Sequence, residues 1–170
     1  MRKTKEFQIF GIDYKTTQFS AMQSLDIIKK PNNLDPIQLL SLTSVKIEND
    51  FILLSGKNEI NSYVVDKINH LPGAIVLRGL IKYISDYSFS FISDFKMIKT
   101  PAKFASDAKH VFSPHIEPMI AQLIHNGYGT LEKFEQYYSL EDAYILFDAL
   151  VAQGVSEAYS ADYAIKHPQK

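Results

Sequence analysis

The chain has 170 residues, a hydrophobic share of 46% and a net charge of −1, which bounds it as one globular domain, or a compact body with an appendage, with enough apolar side chains for a real core. So small a net charge argues against a general affinity for nucleic acid or for an anionic membrane surface. The absence of cysteine excludes disulfides, thiolate metal sites and a cysteine nucleophile, and suits a reducing cytoplasm.

The basic opening, residues 1–6, is not followed by the apolar core of a signal peptide. Apolar stretches such as 73–84 are interrupted by Arg78 and Lys82 and are too short to span a bilayer. Charge is uneven along the chain. Residues 1–30 carry six Lys/Arg against three acids, and residues 131–170 carry three Lys/Arg against seven acids. The plain reading is a set of solvated helix faces; the sharper one is steering of a partner or head-to-tail self-contact.

In chain order, residues 6–10 alternate, with Phe7 and Ile9 on one face; 11–13 carry turn residues; and 14–19 are aromatic and β-branched. This pattern predicts a β-hairpin, which must pack on helices to be stable. Ser20 and Gln23 form a capping box, and Ala21, Met22, Leu25 and Ile28 then share a helical face. Pro31 ends that helix and Asn32-Asn33 follow as loop. Asp35-Pro36 opens a second helix with Ile37, Leu39 and Leu40 apolar, reaching toward Val45.

Residues 47–56 are read as helix or irregular chain, because Phe51-Ile52-Leu53-Leu54 is too short a run to assign by periodicity. A helix is expected over 59–71, with Ile60, Tyr63, Val64 and Ile68 at helical spacing, stopped by Pro72-Gly73. The most apolar helix, 74–87, carries Ile75, Leu77, Leu80, Ile81 and Ile84 and is expected at the centre of the core. Residues 88–95 fit a short strand or a helical turn. A short helix is expected over 102–111 and an apolar one over 119–126, ended by Gly127. Thr130 opens a short helix, and Ser139-Leu140-Glu141-Asp142 opens the last long one, with a break expected at Gly154. The fold class is therefore mainly α: a helical domain with an N-terminal β-hairpin and a C-terminal helical extension. Residues 1–112 are expected to form the hairpin and helical core and 113–170 the C-terminal helical region, either as two parts or as one continuous domain.

No phosphate-binding glycine loop or nucleophile elbow occurs. His110 and His115, with Asp107 and Glu117, are the one cluster that suggests a metal, but their spacing across Pro114 is not that of a helical zinc site. They read as ordinary loop residues, and no cofactor is expected. Lys96, Lys99, Lys103 and Lys109 lie among Phe95, Phe104 and Phe112, a pattern that can bind single strands; here it reads as a solvated face over core phenylalanines. His125 falls in a last helical turn, where it complements the dipole. The C-terminal third is rich in tyrosine (128, 137, 138, 144, 159, 163), a residue that gives large amphipathic contact area at interfaces.

Two stretches together resemble the tail assembly chaperones of long-tailed bacteriophages. One is the hairpin strand Tyr14-Lys15-Thr16-Thr17-Gln18-Phe19 running directly into a helix at Ser20-Ala21-Met22. The other is Ile120-Ala121-Gln122-Leu123-Ile124-His125-Asn126-Gly127, then Thr130-Leu131, then Tyr138-Ser139-Leu140-Glu141-Asp142 and a final helix. The likeness covers about the first 30 and the last 50 residues. It implies a small non-enzymatic helical protein in the cytoplasm of the host bacterium. Such a protein coats the tape measure protein, keeps it soluble, recruits tail tube protein and is absent from the finished virion. Some members carry a frameshift-encoded extension, and this chain could correspond to either form.

An apolar helical client is shielded by apolar helix faces, which also predict self-association of the free protein. The expected partner-binding residues are Tyr137, Tyr138, Tyr144, Phe147 and Leu150, with no nucleic acid and no membrane as partners. The alternative is a structural virion component, such as a tail completion or head–tail joining protein. An enzyme using the His110/His115 region, or a regulator lacking a basic recognition helix, fits less well.

Overall fold

A computed structural model describes residues 1–30, 35–68, 70–105, 111 and 113–167. The expected N-terminal hairpin is half of a larger sheet. Strands β1 (Thr4–Ile9), β2 (Ile12–Thr17), β3 (Thr43–Ile47) and β4 (Asp50–Leu53) form a four-stranded antiparallel sheet in that order. The first turn is two residues long, with Phe10 at φ 52° and Gly11 at φ 77°, the pair of positive values that matches the twist of adjoining strands. The second hairpin replaces the helix or irregular chain expected over 47–56. Its register sets Tyr14 opposite both Phe7 and Val45, and Val45 opposite Ile52. These four residues therefore line one face of the sheet.

That face carries the first core. Helices α2 (Pro36–Leu40), α3 (Lys57–Tyr63) and α4 (Gly73–Phe89) close over it. Tyr14, Leu40, Val45, Leu54, Val76, Leu80 and Ile84 are almost wholly buried together. On α4 the inward row is Val76, Leu80, Ile84 and Ser88, at four-residue steps; Ile75, expected inside, is about half exposed. Gly79 allows the close packing of the first turn, because a Cβ there would lie 2.9 Å from Cε2 of Phe10. The helix expected over 59–71 stops at Tyr63. Beyond it the Asp66 carboxylate accepts N–H bonds from Ile68, His70 and Leu71 at 2.9–3.2 Å. Those bonds hold its pKa below the usual aspartate value although desolvation pushes the other way.

The connection between β2 and β3 leaves the sheet and builds a second core. Helix α1 (Ala21–Lys29) starts with the expected capping box at Ser20 and Gln23. It packs against α6 (Pro118–His125), α7 (Leu131–Gln136) and α8 (Leu140–Lys166) around Ala21, Ile120, Leu123, Phe134 and Ala143. Gly127, at φ 80°, ends α6. The N–H of Tyr128 reaches the Leu123 carbonyl and that of Gly127 reaches Ile124, both at 3.0 Å, which satisfies carbonyls the helix leaves open.

Residues 88–95 settle as the end of α4 and a helical turn, α5 (Phe91–Asp94). Of the helix expected over 102–111, a single 3₁₀ turn, Ala102–Phe104, is present, and residues 106–110 lie outside the described residues. Pro31, Asn32 and Asn33 lie outside them as well. Among the described residues, no helix is long and apolar enough to cross a membrane.

Candidate functional site

Helix α8 runs unbroken through Gly154 for 27 residues. Its start is fixed by a second capping box: Asp142 N–H donates to Ser139 Oγ at 3.2 Å, and Ser139 N–H donates to Asp142 Oδ2 at 2.8 Å. The Met1 ammonium lies 2.7 Å from the same carboxylate, and Lys3 Nζ lies 3.0 Å from Glu141. Burial opposes ionisation of Asp142, but the Met1 ammonium and Ser139 outweigh it and hold the carboxyl below the usual aspartate range. The hydrogen bond that Lys3 donates to the Glu141 carboxylate, together with that carboxylate's charge, raises the Lys3 pKa.

The basic beginning and the acidic end of the sequence thus meet within one chain. Backbone bonds reinforce the seam: Arg2 N–H donates to the Tyr137 carbonyl at 2.9 Å, and Ala21 N–H to the Tyr138 carbonyl at 2.8 Å. The Arg2 guanidinium also reaches the Gln18 and Gln136 carbonyls, at 2.7 and 3.1 Å.

The five expected partner-binding residues fall into different surroundings. Tyr137 is exposed, at the end of α7. Tyr138 is half-buried, with its ring 5.2 Å from that of Phe134. Phe147 and Leu150 are half-buried and turned toward the second core. Tyr144 lies on another side of α8, edge-on to Phe91 and Phe95 at 5.6 and 5.5 Å. They do not form one continuous surface.

A different row on α8 does. Ile145, Ala149, Ala152, Ser156, Tyr159 and Tyr163 follow at alternating steps of four and three residues, the period of a helix–helix seam. Ile145 is 52% exposed, Tyr159 48% and Tyr163 66%; Ala149 and Ser156 are exposed and Ala152 half-buried. The row contains no charged residue and is about 27 Å long at the helical rise per residue. Sequence reasoning missed it because apolar residues occur on several sides of this helix. The four-three spacing was the signal available.

The other expected chemistry is dispersed. Glu117 pairs with Lys29, and the His115 N–H bonds Ser113 Oγ at 3.2 Å. His110, Asp107, Lys109 and Phe112 lie outside the described residues. Among the described residues no three metal-ligating side chains converge. Lys103 is held by Asp162 at 3.0 Å, and Phe95 and Phe104 pack on tyrosines of α8. No family model, curated protein or solved structure matches this chain.

Proposed function

We propose that this chain is a tail assembly chaperone of a long-tailed bacteriophage, acting in the host cytoplasm. It binds the tape measure protein, keeps it soluble and helps recruit tail tube subunits. The observation that carries the reading is the uncharged, seam-spaced row from Ile145 to Tyr163 on a long helix. A row of this period accepts a second helix packed alongside at a shallow angle, and a client that is one long apolar helix offers such a face repeatedly. The resemblance of the opening and closing stretches supports the same reading. With the client absent, the row favours self-association.

The test is co-expression with the tape measure protein of the same phage. Co-purification is expected, together with aggregation of the tape measure protein when it is expressed alone. The double variant Ile145→Ser/Tyr163→Ser should lose the client and keep its fold. No association, with this chain instead found in purified virions, would sink the chaperone reading in favour of a structural tail component.

A further inference from the structure

The chain leaving α5 runs along α8 in the same direction as the helix. Phe91 and Phe95 lie edge-on to Tyr144. The Ile98 N–H donates to Asp148 Oδ1 at 2.6 Å. Lys103 Nζ is 3.0 Å from Asp162 Oδ2 and stands over the rings of Phe104 and Tyr159 at 4.3 and 4.5 Å, and those rings meet edge-on at 4.9 Å. Tyr159 belongs both to this contact and to the free row. The strap therefore covers the flank of α8 that borders the exposed seam.

Its attachment is slight. No side chain from 91 to 105 is fully buried; Phe91, Phe95, Met97, Pro101 and Phe104 are half-buried and the rest exposed. Among the described residues, the Ile98 N–H is the one main-chain donor of 95–104 that reaches another element, and it meets a side chain rather than a backbone ladder. Segments held by few buried contacts and few protected amides open well before the core does.

We infer that residues 91–104 are a ligand in cis, displaced from α8 when a client segment docks. The strap shows what such a segment would bring: aromatic rings for Tyr144 and Tyr159, and a second cation for Asp162, which Lys166 of α8 also pairs at 3.0 Å. The occupant is thus an aromatic- and lysine-bearing stretch of the client helix, a specification that rests on the chaperone reading above. Once displaced, the strap no longer blocks the border of the row, and the docking face widens from one seam to two adjoining ones.

The test uses the full chain, whose lack of cysteine makes Ile98→Cys/Asp148→Cys, placed at the strap's main-chain contact with α8, the only thiol pair. A short bis-methanethiosulfonate linker locks the strap and reduction frees it. The probe is a labelled peptide of residues 91–105. It should bind a folded Phe95→Ala/Phe104→Ala chain about tenfold more tightly than wild type, because the cis competitor is weakened, and it should not bind the locked chain. Phe104→Ala alone serves if the double variant is not folded by circular dichroism. Equal peptide binding by wild type and a folded loosened variant overturns the inference.

In the client arm, the locked chain should fail to retain the tape measure protein and recover after reduction. Retention by both forms overturns the displacement. Retention by neither, with the peptide result as expected, removes the chaperone reading and upholds the strap as a ligand in cis.

Discussion

Replacing Tyr144 and Phe147 together by serine should destabilise the fold before it reports on any partner. Tyr144 is half-buried against two phenylalanine rings, and each such pair contributes about 0.5–1.5 kcal/mol beyond its area. Phe147 is half-buried on the second core. A fully buried phenylalanine costs about 3–5 kcal/mol on truncation, so half that burial corresponds to about 2 kcal/mol. The two sites are three residues apart on one helix and need not add, but a combined loss of about 3–4 kcal/mol is a large share of the roughly 5–15 kcal/mol that holds a domain folded. Urea denaturation reads it directly. With m near 2 kcal/mol/M, the midpoint should fall by about 1.5–2 M. The Ile145→Ser/Tyr163→Ser variant changes residues more than half exposed and should move it by under about 0.5 M. Should the first variant stay within about 1 kcal/mol of wild type, or the second lose more than about 2, the assignment of inner and outer faces to α8 is wrong.

Three further outcomes follow from the cores and the helix start. Gly79→Ala sets a helix-propensity gain of about 1 kcal/mol against a contact of 2.9 Å with the Phe10 ring, where overpacking costs about 1–3 kcal/mol. The single variant should be less stable, and the same change should be stabilising in a Phe10→Ala background, a reversal that a double-mutant cycle measures. Burial pushes the Tyr14 hydroxyl, which bonds the Tyr63 carbonyl at 3.3 Å, up to about 12. A folded-state pKa above the unfolded value of about 10 contributes stability that is complete below that pH and lost as pH rises toward 12. Tyr14→Phe should therefore flatten the alkaline limb of stability between about pH 10 and 12; an unchanged limb would show that other groups cause it. The depressed pKa of Asp142 has the opposite sign. Its contribution is present above about pH 4 and fades as pH falls through the folded value. Asp142→Asn should cost about 1 kcal/mol at pH 7, the size of a lost cap, and converge with wild type near pH 2; a gap that persists in acid would place the loss elsewhere.

Signals completed within a few residues were legible in the sequence. The capping box at Ser20, the helix starts at Asp35-Pro36 and Ser139 and the Gly127 stop are satisfied by hydrogen bonds between near neighbours, so the local order of residues alone determines them. The first hairpin was legible for the same reason, since its turn and alternation are local. Tertiary structure decided the rest. The run 51–54 becomes a strand and its exit because Val45 has Tyr14 beside it and Ile52 pairs back on Val45; an apolar run of four residues satisfies either period until a neighbouring strand selects one. The last helix was evident from Ser139 onward, but which of its faces would remain uncovered was not. Aromatic and aliphatic residues occur on several sides of it, and only the docking of α1 and α6 on one side and the strap on another leaves Ile145 to Tyr163 in water. Burial is a property of what packs alongside a helix, and that is set by residues far away in the chain.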